Sequence, residues 1–330
     1  MSSKHFRLLT VSFLAVLIFL TGGIASAQVA GWYDAAWTSR QKITIPSNTS
    51  YGLTGNLSDF PFLIKITDTL PANANELFGV AQSLGEDILF TDSDGTTKLP
   101  HEIMSYNGTD DLTAWVRIPV FKSGSPTEIY IYYGNPTATN QEQPQEVWSN
   151  GYVGVWHLEE NGASSKYEDS TSYMNEGVGG TVTTNESPTR STGGTTDVVG
   201  SSQDFDGDDD HIDVPAQSYF DQVPFTVTAW AKFDALPSFT AKNPYIFGRV
   251  HTNAPFSSWK LTAATSGDKI KFQEKDSGGA DHSIYSNSAL VEDTWYQIVG
   301  TVDSDYNMKL YIDGLQQDDT TNAGSIYTAD

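Results

Sequence analysis

The most constraining feature of the chain is a run of period-two alternation from Trp37 to Tyr133, with no segment that sustains a helical period. Ile43 and Ile45 alternate with Lys42 and Thr44, and Phe60, Phe62, Ile64 and Ile66 share one face while Lys65 and Thr67 take the other. Ile88 and Phe90 precede the turn Asp92-Ser93-Asp94-Gly95. Leu112, Ala114, Val116, Ile118 and Val120 make a further inward row, and Ile129, Ile131 and Tyr133 another. Strands with one apolar face must lay that face on a second sheet, so the pattern predicts a β-sandwich. Asn73 to Gln82 suits a short helix within a connection.

Composition agrees with this class and narrows the setting. Aromatic residues make up 12% of the chain and charged residues only 18%, a balance that favours strands and resembles extracellular β-proteins. There is no cysteine, which removes disulfides, thiolate metal sites and cysteine nucleophiles together. The formal net charge of -23 argues against nucleic acid and anionic membrane surfaces as partners. Lys4 and Arg7 precede an apolar run from Leu8 to Leu20, followed by the small-residue site Ala25-Ser26-Ala27. That layout predicts a signal peptide over residues 1–27, a secreted or cell-surface protein, and no membrane insertion after cleavage. The run is shorter than the roughly 20 residues a retained anchor needs.

With 330 residues there is room for two domains. The first is expected over residues 31–136. Residues 137–149 are polar, proline-bearing and free of apolar periodicity, which predicts an interdomain linker. A second β-rich domain is expected over 150–330, opening with a strand in GYVGVWHLEE and continuing through FTVTAWAKF, WYQIVGTVD and MKLYIDG.

Specific runs carry two resemblances. Trp37-x-x-Arg40, DFPFLIKIT, DILFTDSDGTTKLPHEI, AWVRIPV and IYIYYGNP resemble the family catalogued as domain of unknown function 2341. That family implies secreted or surface proteins and brings no catalytic residues. The strand around Trp156 with Asp169-Ser170, the stretch Phe205-Asp206-Gly207, and Tyr311-Ile312-Asp313-Gly314 resemble laminin-G-like modules of the concanavalin A-like lectin and glucanase superfamily. The resemblance implies a jelly-roll-like sandwich with a carbohydrate-binding or adhesive role. Such modules usually continue past the turn after Tyr311 with further strands, so the second sandwich is expected to lack its closing strand or strands.

The densest charge lies in Asp204 to Val214, DFDGDDDHIDV, where Asp206-Gly207 suits a tight hairpin turn between strands. Five acids in that stretch are either fully solvated or share a hard cation, and calcium prefers carboxylate oxygens. The calcium candidates are Asp206 and Asp208, with Asp169 as a third because the laminin-G resemblance places its turn near one rim of the sandwich. No EF-hand pattern is present. His211 reads as a solvent-facing strand residue.

Enzymatic patterns are missing from the residue string. Glycanases of the superfamily use E-x-D-x-x-E or E-x-D-x-E on one strand; the nearest match, Glu274-Lys275-Asp276, lacks the second glutamate. The six histidines show no zinc spacing, and neither a nucleophile elbow nor a P-loop occurs. No catalytic residues are therefore expected. Trp230, Trp295 and Tyr311 fall on the polar faces of their strands, where an aromatic ring either packs under a covering loop or stacks on a sugar ring. The expected function is a non-catalytic binding protein with a glycan as partner. A structural spacer in a larger surface protein, and a glycoside hydrolase or its accessory module, are the alternatives.

Overall fold

The computed structural model describes residues 31–67, 74–161, 166–180, 187–191, 200–250, 257–317 and 321–326. The expected signal peptide at 1–27 lies outside them. No helix among the described residues is long and apolar enough to cross a membrane.

The first sandwich consists of β1 (Ser39–Ile45), β2 (Leu57–Thr67), β3 (Leu89–Asp92), β4 (Lys98–Leu99), β5 (His101–Tyr106), β6 (Asp111–Phe121) and β7 (Thr127–Tyr133). Its two antiparallel sheets run β1-β7-β3-β4 and β2-β6-β5. Ile43, Ile45, Ile64, Ile66, Phe90, Val116, Ile129 and Ile131 pack into one core, as period-two alternation requires. The expected connecting helix is α1 (Ala74–Val80), which buries Leu77 and Phe78 in that core. The inward row on β6 changes phase at Pro119: Val120 is exposed and Phe121 takes the core position. Opposite, Asp59 adopts a left-handed φ, and the Asp59–Pro119 position is missing from the β2–β6 ladder while the register on either side of it is unchanged.

The sequence runs that carry the first resemblance meet in space and hold one another by structural bonds. Trp37 Nε1 donates to Asp87 O at 2.6 Å, while the fully buried Asp87 carboxylate accepts from the backbone amides of Gly134 (2.6 Å) and Asn135 (2.9 Å). The Arg40 guanidinium lies 4.7 Å from the Trp32 ring centroid and 4.4 Å from that of Tyr130, and it donates to Tyr132 Oη at 2.8 Å.

Residues 137–149 are docked on the first sandwich. α2 (Pro144–Val147) packs on β5 and β6, with Val147 and Trp148 buried. Trp148 stacks edge-on against Trp115 and Tyr152 with centroids 5.2 and 5.1 Å apart, so two apolar side chains in a polar stretch turn a presumed tether into a packed element. Beneath them the buried Glu102 accepts from Trp148 Nε1 (2.6 Å) and Ser170 Oγ (2.6 Å), and it contacts His157 Nε2 at 3.1 Å. Burial alone would raise the Glu102 carboxyl, but the bonds from His157, Ser170 and Trp148 outweigh it and hold the group below its ordinary value.

The second sandwich begins with short pieces: β8 (Val178–Gly179), β9 (Thr189–Ser191), β10 (Ser202–Asp204) and β11 (Ile212–Asp213). GYVGVWHLEE is not a strand. Its one ladder contact is the bridge between Trp156 and Asp169. The sheets are β12 (Phe225–Lys232), β17 (Trp295–Val302) and β18 (Asn307–Ile312) on one side, with β13 (Tyr245–Val250), β14 (Ser257–Ala264), β15 (Lys269–Lys275) and β16 (Asp281–Tyr285) on the other. Val227, Leu261, Phe272, Ile284, Ile298 and Leu310 fill the space between them. Past the turn after Tyr311, β19 (Leu315–Gln316) and β20 (Thr321–Asn322) each pair with β18, so the outer edge of that strand is taken by two short ladders. The chain is all-β, with two sandwich domains.

Candidate functional site

The expected hairpin at Asp204 to Val214 does not form. β10 pairs with β9 and β11 with β8, which makes the acidic stretch a loop between two separate ribbons. Side chains close that loop instead of a ladder. Asp206 Oδ1 accepts from the amides of Asp208 (2.8 Å) and Asp209 (3.4 Å), and Asp210 Oδ2 accepts from the Asp206 amide (2.8 Å). The amide of Asp208, with smaller contributions from its neighbours, holds the Asp206 carboxyl below its usual range. His211 is exposed, as expected, with Nδ1 2.9 Å from Asp209 O.

The three calcium candidates separate here. Asp206 offers one oxygen to a group with Asp209 and Asp210 in which all lie within 4.8 Å of one another. Asp208 points elsewhere, pairing with Lys242 Nζ at 2.9 Å. Asp169 is buried and has both carboxylate oxygens in use: it accepts from Val155 N (2.9 Å), Thr171 N (3.0 Å), Thr171 Oγ1 (2.9 Å) and Asn175 N (2.9 Å). Its role is to close the turn after the Trp156 bridge. Asp209 and Asp210 could not be selected from the sequence, because i, i+2 spacing suggests one strand face and this segment is a side-chain-closed loop. Asp210 Oδ1 and Glu160 Oε2 are buried acceptors with no donor.

The aromatic candidates fall on one face. Because Val227, Ile298 and Leu310 point into the core, the residues alternating with them, Trp230, Trp295 and Tyr311, point out of the β12–β17–β18 sheet. Trp230 is opposite Gln297 and Lys232 opposite Trp295, so the two tryptophans are diagonal neighbours. Trp230 is 39% exposed, a ring face available to a ligand. Trp295 is half-buried. Tyr311 is only 3% exposed and cannot serve as a platform, because an aromatic in the middle of this face is packed over by its surroundings. Two unmatched polar atoms sit beside Trp230: the donor Trp295 Nε1 and the acceptor Gln297 Oε1. They lie two residues apart on β17, and both atoms are buried, so neither is open to a ligand on the Trp230 ring as the side chains stand.

The Glu-Lys-Asp run on β15 carries one further group. Glu274, on the Glu-Lys-Asp run, is fully buried with neither carboxylate oxygen bonded, and burial followed by the charge of Asp276 pushes its pKa up to about 8. It shares the inward face of β15 with Ile270 and Phe272. Asp276 is paired with His282 Nε2 at 3.0 Å.

Residues 84–166 match the family described as a domain of unknown function, and residues 205–330 match the concanavalin A-like lectin/glucanases superfamily, in the expected order. The second match supports a carbohydrate-binding or adhesive module. The first match runs through the docked segment 137–149 and reaches past His157. No curated protein and no solved structure matches the chain.

Proposed function

We propose that the chain is an exported, non-catalytic glycan-binding protein whose second sandwich holds its ligand on the outer face of β12 and β17. The observation that carries this reading is the exposed Trp230 ring on the outer face of β12 and β17, diagonal to Trp295. A sugar ring stacks its C–H face on the exposed indole, and polar groups on the same sheet face fix its hydroxyls. The spacer alternative offers no reason for an exposed tryptophan on the outer face of a sheet. A glycan array probed with the protein is expected to return bound glycans, and Trp230→Ala to weaken them about tenfold or more. Tyr311→Phe is expected to leave binding unchanged, and no reducing sugar to be released. An array without a hit, or equal binding by Trp230→Ala, would remove this reading.

Calcium belongs to the same proposal as a stabilising ion at the acidic loop. Asp206, Asp209 and Asp210 would hold it, since they supply clustered hard oxygen donors and Asp210 Oδ1 has no donor of its own. An ion bound only by the folded state at about 100 times its Kd stabilises by about 2.7 kcal/mol, a shift of several degrees in Tm. Asp206→Asn with Asp210→Asn is expected to abolish the shift between calcium and chelator, while Asp208→Asn, which loses only a Lys242 pair, is expected to keep it. Identical melting of the wild type with calcium and with chelator would leave the loop as a solvated turn.

A further inference from the structure

The sheet on the opposite side of the second sandwich presents a different outer surface. Ile270, Phe272 and Leu261 point inward, so Lys260, Thr262, Lys269, Lys271, Gln273 and Lys275 point outward. The register runs Tyr245 to Thr262, Thr262 to Lys271 and Lys271 to Tyr285, a single row across four strands with a tyrosine at each end. Four adjacent strands span about 14 Å from first to last. Lys260 and Gln273 lie in the next row. In a chain with 18 basic residues and a net charge of -23, four lysines on two neighbouring strands are a local reversal of sign.

The packing within this face leaves its charge largely uncompensated. Lys260 Nζ lies 4.9 Å from the Tyr245 ring centroid and 3.2 Å from Tyr245 Oη, and Lys271 Nζ donates to Gln273 Oε1 at 2.6 Å. Among the described residues neither forms an ion pair with a carboxylate; Lys275 pairs with Asp281. Burial, then Lys260, pushes Lys271 below its ordinary value, with Lys275 adding to the repulsion and Asp281 opposing it. An anion laid along the row relieves that repulsion.

We propose that the outer face of β13–β16 is a second binding surface, for an acidic polysaccharide, with Lys260, Lys271 and Lys275 meeting its anionic groups and Tyr245 and Tyr285 stacking on its rings. Tyr245 is 56% exposed at the end of the row, where it can receive the apolar face of a sugar. At physiological ionic strength charges are screened beyond about 8 Å, so a local lysine cluster acts on a ligand despite the overall acidity. A polyuronate carries its charge more sparsely than a nucleic acid duplex and is repelled less by the rest of the protein. The site is separate from the Trp230 face and does not depend on it.

Affinity electrophoresis of the full chain through gels containing polygalacturonate, dextran sulfate, dextran or polyglutamate tests the assignment. The wild type is expected to be retarded by polygalacturonate or dextran sulfate at low salt, with release as salt is raised, and the two gels separate carboxylate from sulfate as the group recognised. Lys260→Gln with Lys271→Gln is expected to weaken retardation about tenfold or more, whereas Lys260→Arg with Lys271→Arg, a control for folding, keeps it. Tyr245→Ala is expected to weaken retention by the polysaccharide and leave any retention by polyglutamate alone. Trp230→Ala is expected to migrate as the wild type in the acidic gels, which separates this face from the other. The proposal is overturned if neither acidic polysaccharide retards the wild type, if the double glutamine variant is retarded equally, or if polyglutamate binds as tightly as the polysaccharides.

Discussion

Replacing Glu274 by glutamine is expected to flatten the alkaline side of the protein's stability profile. In the unfolded chain the glutamate titrates near its ordinary value of 4.5, whereas in the folded state burial and Asp276 carry it to about 8. Between those values the folded state binds a proton that the unfolded state has released, so unfolding becomes easier as pH rises. The stabilisation is complete below 4.5 and exhausted above 8. One pKa unit is worth about 1.36 kcal/mol, so the window corresponds to about 5 kcal/mol. Denaturant unfolding of the two proteins across this range should give curves that diverge steadily, with the glutamine variant the more stable at pH 8. Parallel curves would mean that Glu274 ionises freely in the folded protein, and that its burial between the sheets is relieved in solution.

Truncating Glu102 to alanine is expected to cost about 3–5 kcal/mol. Trp148 Nε1, Ser170 Oγ and His157 Nε2 would all lose the same partner, and a buried donor without an acceptor costs about 1–3 kcal/mol. Because these donors come from the docked segment and from the start of the second domain, the loss is also expected to free the connection. Proteolytic cleavage near Ser149 to Tyr152 should become faster in Glu102→Ala. Glu102→Gln keeps one acceptor oxygen for Trp148 Nε1 and turns its amide NH2 to the Ser170 hydroxyl, which can accept, so it should lose less. Since the folded Glu102 carboxyl lies below its ordinary value, its contribution is present at neutral pH and disappears as pH falls through the folded value. Unchanged stability and cleavage in Glu102→Ala would show that Trp148 packing alone anchors the segment.

What the sequence by itself determined follows from the two-residue period. Alternation assigns each strand residue to a face, and it put Ile43, Ile64 and Ile131 in a core and Trp230 outside without reference to any partner strand. The all-β class and the order of the two domains were legible for the same reason. Tertiary structure decided everything that depends on which strand lies beside which, and on what covers a face. Asp204 to Val214 looked like a hairpin because its turn residues are local, but β10 and β11 found other partners and left a loop. That exchange split the calcium candidates, sending Asp208 to Lys242 and replacing it with Asp209 and Asp210. Alternation could put Tyr311 on the outer face but could not say that the face is closed there, whereas Trp230 on the same face stays open. The lysine row exists only through the registers that bring β13, β14, β15 and β16 side by side. Neither the string around Glu102 nor the incomplete Glu274-Lys275-Asp276 match shows burial; it is burial, a property of the whole fold, that makes one a junction and the other a proton trap.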